Sequence, residues 1–224
     1  MAITAQDVVD RAVDIIKDAT NVRWPTIELM RWLNDGRREV AAIRPELYAV
    51  SSIITLVSGT KQSIPAGGSR FLDAVRVMNG SAPGRALRII EREDLDGQRP
   101  GWHAEAPGET RHFAFDERTP KLFYVYPPAA PGAQLECAYS VCPTDISAGT
   151  ELTSEDVYSG ALVDYVCYRA FSKDAEYAGN AQRAQGHYAA FANALGVSRK
   201  VAFAFSPNTA NVGGLPPRSG VAAG

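Results

Sequence analysis

Cysteine is scarce in this chain. Cys137, Cys142 and Cys167 are an odd set of three, they fall on predicted strand or helix, and they lack the CxxC spacing of a zinc or redox site. Buried free thiols are expected, because a cytoplasmic chain of this size does not need the single bridge that three cysteines allow. Long hydrophobic runs are missing too. No apolar stretch reaches membrane-spanning length, and the opening MAITAQDVVD lacks a basic-then-apolar export pattern, so no membrane partner is expected and synthesis in the cytoplasm is. Excess charge of either sign is also absent, the net charge being -2. That excludes a protein that coats nucleic acid through overall basicity, while leaving room for a local basic patch.

Catalytic signatures are missing as well. The sequence has no GxxxxGK[ST] loop, no GxGxxG after a strand, no GxSxG elbow and no HExxH pair. Its concentrated polar groups are Glu91, Glu93, Asp94 and Asp96, followed by His103, Glu105 and His112. Their spacing matches no metal-ligand pattern, and blocks of acids are usually solvated faces. His187, beside Tyr188, reads as a helix-surface or core-edge residue. Asn79-Gly80-Ser81 matches a glycosylation acceptor by pattern only and reads as a turn. No cofactor or metal is expected.

What is present is an alternation of helical and strand patterns. Thr4 suits an N-cap, with Asp7 in the place of a capping-box acid and a stripe of Val8, Val9, Ala12, Val13 and Ile16 behind it. The segment RWPTIELMRWLNDGRREVAAIRPELY then predicts a second helix between Pro25, tolerated in a first turn, and Pro45, which ends it. Leu29, Trp32, Leu33, Gly36, Val40 and Ile43 share one face, while Arg31, Asp35, Arg38 and Glu39 occupy the others. Ser52 to Val57 and Lys61 to Ile64 flank Ser58-Gly59-Thr60 and predict a hairpin. Phe71 to Met78 and Arg85 to Ile90 are further strands around a turn-rich 79–84. The charged run 91–96 leads into GQRPGWHAEAPGE, a surface loop with Trp102 as its anchor. Arg111 to Asp116, Lys121 to Tyr126 and Gln134 to Val141 predict an antiparallel meander.

Thr153 or Ser154 can cap a third helix running to about Ser172, with Val157, Ala161, Leu162, Tyr165, Val166 and Arg169 at helical spacing. Ala178, Ala181, Ala184, Tyr188, Phe191 and Leu195 mark a fourth, ending at Gly196, with small residues that permit close helix approach. The expected fold is α+β. A four-helix bundle from both ends of the chain (1–50 and 153–196) carries an inserted antiparallel β domain (51–152) and an extended, partly disordered tail (197–224). In that tail Arg199 and Lys200 precede Val201, Phe203 and Phe205, which alternate with alanines. Such a strand either adds to another protein's sheet edge or groove, ordering on binding, or folds back on its own helices.

Four stretches carry a family resemblance: WPTIELMRWLNDGRREVAAIRPELY, REDLDGQRPGW, FAFDERTPKLFYVYPP and VDYVCYRAFSKDAEYAGNAQRAQGHYAAF. Over roughly residues 4–205 the chain resembles the head-to-tail adaptors of tailed bacteriophages, particularly the connector or tail tubular proteins of short-tailed phages. The resemblance implies a non-catalytic virion subunit at the head–tail junction. It implies a twelvefold ring under the portal protein, a platform for the tail (nozzle or tube) protein, and a channel through which packaged DNA passes without sequence-specific binding. It implies portal binding by the C-terminal segment, which suits Arg199, Lys200, Val201, Phe203 and Phe205. Arg31, Arg38 and Glu39 are the candidate subunit-interface residues, since complementary charge helps fix the register of a ring. Two other classes stand beside it. A metal-dependent hydrolase needs the acid and histidine cluster to converge, and a DNA-binding regulator needs a basic recognition helix, for which Arg31, Arg37 and Arg38 are the best residues although Asp35 and Glu39 dilute them.

Overall fold

The computed structural model describes residues 3–153, 155–177 and 179–204, with side chains up to residue 196. Among these residues the fold is mixed α+β, with five α-helices and two four-stranded sheets. The chain divides into two units. The first takes residues up to Gly36 together with those from Ser147 onward, and the second is Arg37–Ile146.

In the first unit, helix α1 (Ala5–Ile16) starts where Thr4 and Asp7 satisfy each other's exposed donors. Thr4 N–H donates to Asp7 Oδ2 at 2.8 Å, and Asp7 N–H donates to Thr4 Oγ1 at 3.2 Å. These bonds favour the ionised carboxyl, so the Asp7 pKa is held below its ordinary value, the Thr4 backbone bond being the main cause. The residues before α1 are tied to the stretch that leads out of the second unit: Leu152 N–H donates to Ile3 O at 2.8 Å and Ala5 N–H to Thr150 O at 2.9 Å. Lys17, in the left-handed region at φ 60, ends α1. Asp18 then organises the turn that follows, accepting from Val22, Arg23 and Trp24 backbone N–H groups at 2.9–3.1 Å.

Helix α2 (Thr26–Ile43) lies between the two expected prolines. Its apolar stripe is buried in the first unit at Leu29, Trp32 and Leu33. Gly36 lies against α4 (Ser159–Lys173): a Cβ there would meet Tyr165 Cδ1 at 2.9 Å. α4 buries Leu162, Tyr165 and Val166 and packs against both α1 and α5 (Asn180–Ala204). Tyr165 and Phe191 have ring centroids 5.1 Å apart, and Tyr168 and Tyr188 4.9 Å. Lys173 on α4 reaches both Glu28 oxygens on α2, at 2.7 and 2.8 Å.

Two expectations for the helices are corrected. Val157 does not join the buried stripe of α4. It lies in a 3-10 turn (Asp156–Tyr158) ahead of the helix and is 76% exposed. Nor does the last helix end at Gly196. It continues to Ala204, so the backbone at Arg199, Lys200, Val201 and Phe203 is helical rather than an extended strand. One glycine costs a helix only about 1 kcal/mol, and the alanines interleaved with Val201 and Phe203 are strong helix formers. Ser154, Ala178, Phe205 and the rest of the expected tail lie outside the described residues.

The second unit is a sandwich. Strands β1 (Ala49–Thr55), β2 (Gly59–Ser63), β3 (Gly68–Asn79), β4 (Ala82–Ala86), β5 (Arg88–Ile89), β6 (His112–Phe115), β7 (Leu122–Ala129) and β8 (Gln134–Val141) form two sheets, ordered β1-β8-β3-β4 and β2-β7-β6-β5. Their inner faces share one core, in which Phe71 of β3 stacks on Phe123 of β7 with centroids 4.5 Å apart and meets Phe113 edge-on. The expected pairings therefore need correction. β1 and β2 are not a hairpin but partners of β8 and β7 in different sheets. The chain changes sheet after Leu56, and the buried Gln62 seals the corner. Its Oε1 accepts from Val57 N–H at 2.9 Å, and its Nε2 donates to Val57 O and Gly59 O. The meander is likewise broken. β6 and β7 form the expected antiparallel pair, whereas β8 crosses to lie between β1 and β3, and β5 runs parallel to β6.

The close approach at Gly36 supplies a test. Replacing glycine by a larger residue in a helix gains at most about 1 kcal/mol of propensity, while overpacking costs about 1–3 kcal/mol. Gly36→Val should lower stability in urea unfolding, because Tyr165 is buried and has nowhere to retreat. An unchanged midpoint would mean that α2 and α4 do not meet there.

Candidate interaction surfaces

The acid and histidine cluster is engaged in building a loop. Arg92–Gln98 forms a short helix, α3, and the chain then turns through Trp102–Ala104, placing Trp102 in full burial. Trp102 Nε1 donates to Asp96 Oδ1 at 2.8 Å, which satisfies the one polar group of a buried indole. Its ring stacks on His103 at 3.8 Å and meets Tyr124 and Tyr126 edge-on. His103 Nδ1 is 2.7 Å from Thr60 Oγ1, and Glu105 Oε2 accepts from Tyr126 OH at 3.1 Å. Arg92 lies 3.6 Å from Asp96, and Arg99 lies 3.4 Å from Glu105. Glu91, Glu93 and Asp94 are exposed beside this loop. Among the described residues no group of three His, Cys, Asp or Glu side chains is placed to hold a metal ion.

Helix α2 sorts its arginines by burial. Arg31 is exposed in the first unit, and in the second Arg38 is exposed and Glu39 half-buried. Arg38 pairs with Asp145. Arg37, a candidate DNA contact on sequence grounds, is buried, and its Nη1 donates to Thr144 O at 2.7 Å. The carbonyl of Arg37 also accepts from Tyr48 OH at 3.4 Å, so this residue braces the second unit rather than facing a ligand. Arg44 is buried too and pairs with Glu46. The signal was in the spacing: Leu33, Arg37, Val40 and Arg44 follow the same three-and-four rhythm as the apolar stripe. Arg199, Lys200, Val201 and Phe203 fall on the last turns of α5, and Phe205 lies beyond the described residues.

The cysteines divide. Cys137 and Cys167 are buried, and burial pushes both thiols up to about 12, far from a reactive thiolate. Cys142 is exposed, contrary to the expectation for all three. His187 bridges α5 to α4 through Asp164 Oδ1 at 2.8 Å and stacks on Phe171, a packing role at the core edge.

A family model described as SU10 adaptor protein matches residues 3–211. That is nearly the whole chain, and the protein belongs to this family. The match agrees with the resemblance to phage head-to-tail adaptors and makes the chain a structural adaptor of the phage virion, one that binds other virion proteins. No curated protein matches the sequence. Among the described residues no helix is long and apolar enough to cross a membrane.

His112, at the start of β6, carries a pH signature. Burial first, and then the charges of Arg85, Arg88 and Arg111, hold its pKa below the ordinary value. A histidine with a folded pKa below its unfolded value of about 6.5 leaves the unfolded chain binding more protons. Its contribution therefore weakens as pH falls through about 6.5 and levels off below the folded value. His112→Gln should lessen the loss of stability between about pH 7 and pH 5 in urea unfolding. Parallel pH profiles for the two proteins would remove His112 as a cause.

Proposed function

We propose that the protein is a non-enzymatic ring subunit that joins the portal to the tail of a tailed phage and extends the DNA channel. The observation that carries this reading is the adaptor-family match across residues 3–211. In it the discontinuous helical unit, residues up to Gly36 and from Ser147 onward, carries the inserted β unit Arg37–Ile146, a division that falls earlier at both boundaries than the expected 1–50 and 153–196. Twelve copies close around the channel. Arg31, Arg38 and Glu39 lie at the contact between neighbours. The C-terminal segment with Arg199, Lys200, Val201, Phe203 and Phe205 attaches to the portal, and another face receives the nozzle or tube protein. The exposure of Arg31 and Arg38 supports the first assignment. The helical backbone through Ala204 changes the form of the second, from an added strand to the end of a helix. The hydrolase alternative gains nothing from the geometry, since Asp96, His103 and Glu105 are occupied with Trp102, Thr60 and Tyr126.

Two measurements test the reading. Purified protein mixed with its portal should give closed rings by electron microscopy, and combined reversal at Arg31, Arg38 and Glu39 should abolish them while circular dichroism stays unchanged. Rings that survive the reversal would remove these residues from the interface. A chain truncated after Gly196 should lose only the helical signal of the eight α5 residues it lacks, 197–204, and should fail to bind the portal in a pull-down. Unimpaired binding by that chain would move the contact to another surface.

A further inference from the structure

Three arginines gather at the sheet edges of the second unit. Arg85 is on β4, the last strand of one sheet, and Arg88 is on β5, the last strand of the other. Arg111 leads into β6. Arg88 lies opposite His112 in the parallel register, and its backbone N–H donates to Arg111 O at 3.1 Å. Arg85 stands three residues before Arg88, across the buried Leu87, and the charges of all three arginines act on the imidazole of His112. All three are exposed.

None of them makes an ion pair among the described residues, whereas Arg76, Arg92, Arg99 and Arg118 of the same unit each lie within ion-pair distance of a carboxylate. Glu109 is exposed two residues before Arg111 and makes no ion pair with it. The ground around the patch is small and open: Ala82, Pro83, Gly84 and Ala86 are exposed along β4, and Ile89 is the one large apolar side chain exposed on β4 and β5. A protein interface wants an apolar centre, which this edge lacks. Unpaired guanidiniums on a low surface suit phosphate oxygens, which they bind through a planar fork of donors.

We propose that Arg85, Arg88 and Arg111 form a phosphate-binding edge that contacts the backbone of double-stranded DNA without reading its sequence. The source of the phosphate rests on the channel role proposed above, in which packaged DNA passes the protein. The contact is electrostatic, so salt governs its strength. Three phosphate contacts give a salt slope of about 2.7, and a fourfold rise in salt should weaken binding roughly 40-fold.

The test is fluorescence anisotropy of a labelled duplex of mixed sequence with the full chain at several salt concentrations. R85Q/R88Q/R111Q should reduce the slope by about 0.9 for each arginine replaced. The triple lysine variant should keep the slope, because charge is retained, and Arg118→Gln, outside the patch, should leave it unchanged. Thermal unfolding of each variant should match the parent, since the side chains are exposed. A parent protein that does not bind the duplex at low salt would overturn the proposal. So would a triple glutamine variant with the parent slope, or polyglutamate displacing DNA at lower charge concentration than a DNA competitor, which would assign the patch to an acidic protein face. The measurement needs no ring. Closed rings without duplex binding would refute the phosphate edge alone, and duplex binding without rings would refute the adaptor geometry alone.

Discussion

The packing of Phe71 against Phe123 is the interaction on which the second unit depends. These rings come from β3 and β7, which belong to different sheets, and their contact joins the two inner faces into one core with Phe113, Phe115 and Leu135. Side chains alternate between faces along a strand, so a slip of one residue in β3 would turn Phe71 outward and leave the opposite sheet facing a void. The buried aromatics therefore set the register of strands that are far apart in sequence. Once that register holds, the outer strands β1, β4, β2 and β5 are fixed as edges with unused backbone groups. Such edges invite pairing unless they are short or interrupted. β5 has two residues and β4 contains Pro83, and both features blunt the edge that carries Arg85 and Arg88.

The loop after β5 shows how the same residues can resemble an active site and serve packing. Trp102 brings a large apolar area and one N–H that must find a partner. Asp96 supplies the partner, while His103 and the two tyrosines close around the ring. Asp96, His103 and Glu105 each commit a hydrogen bond to holding this loop. A structural adaptor needs surfaces whose shape is fixed, and a polar cluster spent on fixing a loop is consistent with that demand.

Local signals were legible in the sequence, and long-range ones were not. Thr4 with Asp7, and Pro25 with Pro45, marked helix ends through backbone donors that each residue either satisfies or lacks, a matter of neighbours within a turn. Most strand positions were legible for the same reason. Which strand lies beside which was not, since β1 pairs with β8 across most of the second unit and Gln62 seals a corner that resembles an ordinary hairpin turn. Of the arginines of α2, Arg31 and Arg38 are exposed as their place off the apolar face implied, but Arg37 was misjudged. Charge alone suggested exposure, whereas Arg37 sits on the apolar rhythm and is buried with an oxygen partner, as is Arg44 just past the helix end. The C-terminal residues were read as a strand from the alternation of Val201 and Phe203, a pattern too short to outweigh the helix already running into them.

Net charge was the weakest guide to the surface. A sum of -2 over the whole chain says nothing about how charges are paired, and pairing is where the second unit departs from uniformity. A guanidinium beside a carboxylate presents little field at a distance, because the two cancel and salt screens the remainder. Three guanidiniums near one histidine, without a carboxylate at ion-pair distance, add instead. The lowered pKa of His112 is a consequence of that addition beside the larger effect of burial. The chain can thus be slightly acidic as a whole and still present a cationic edge. In the channel role proposed above, that combination lets a phosphate backbone pass along one defined surface without indiscriminate coating of nucleic acid.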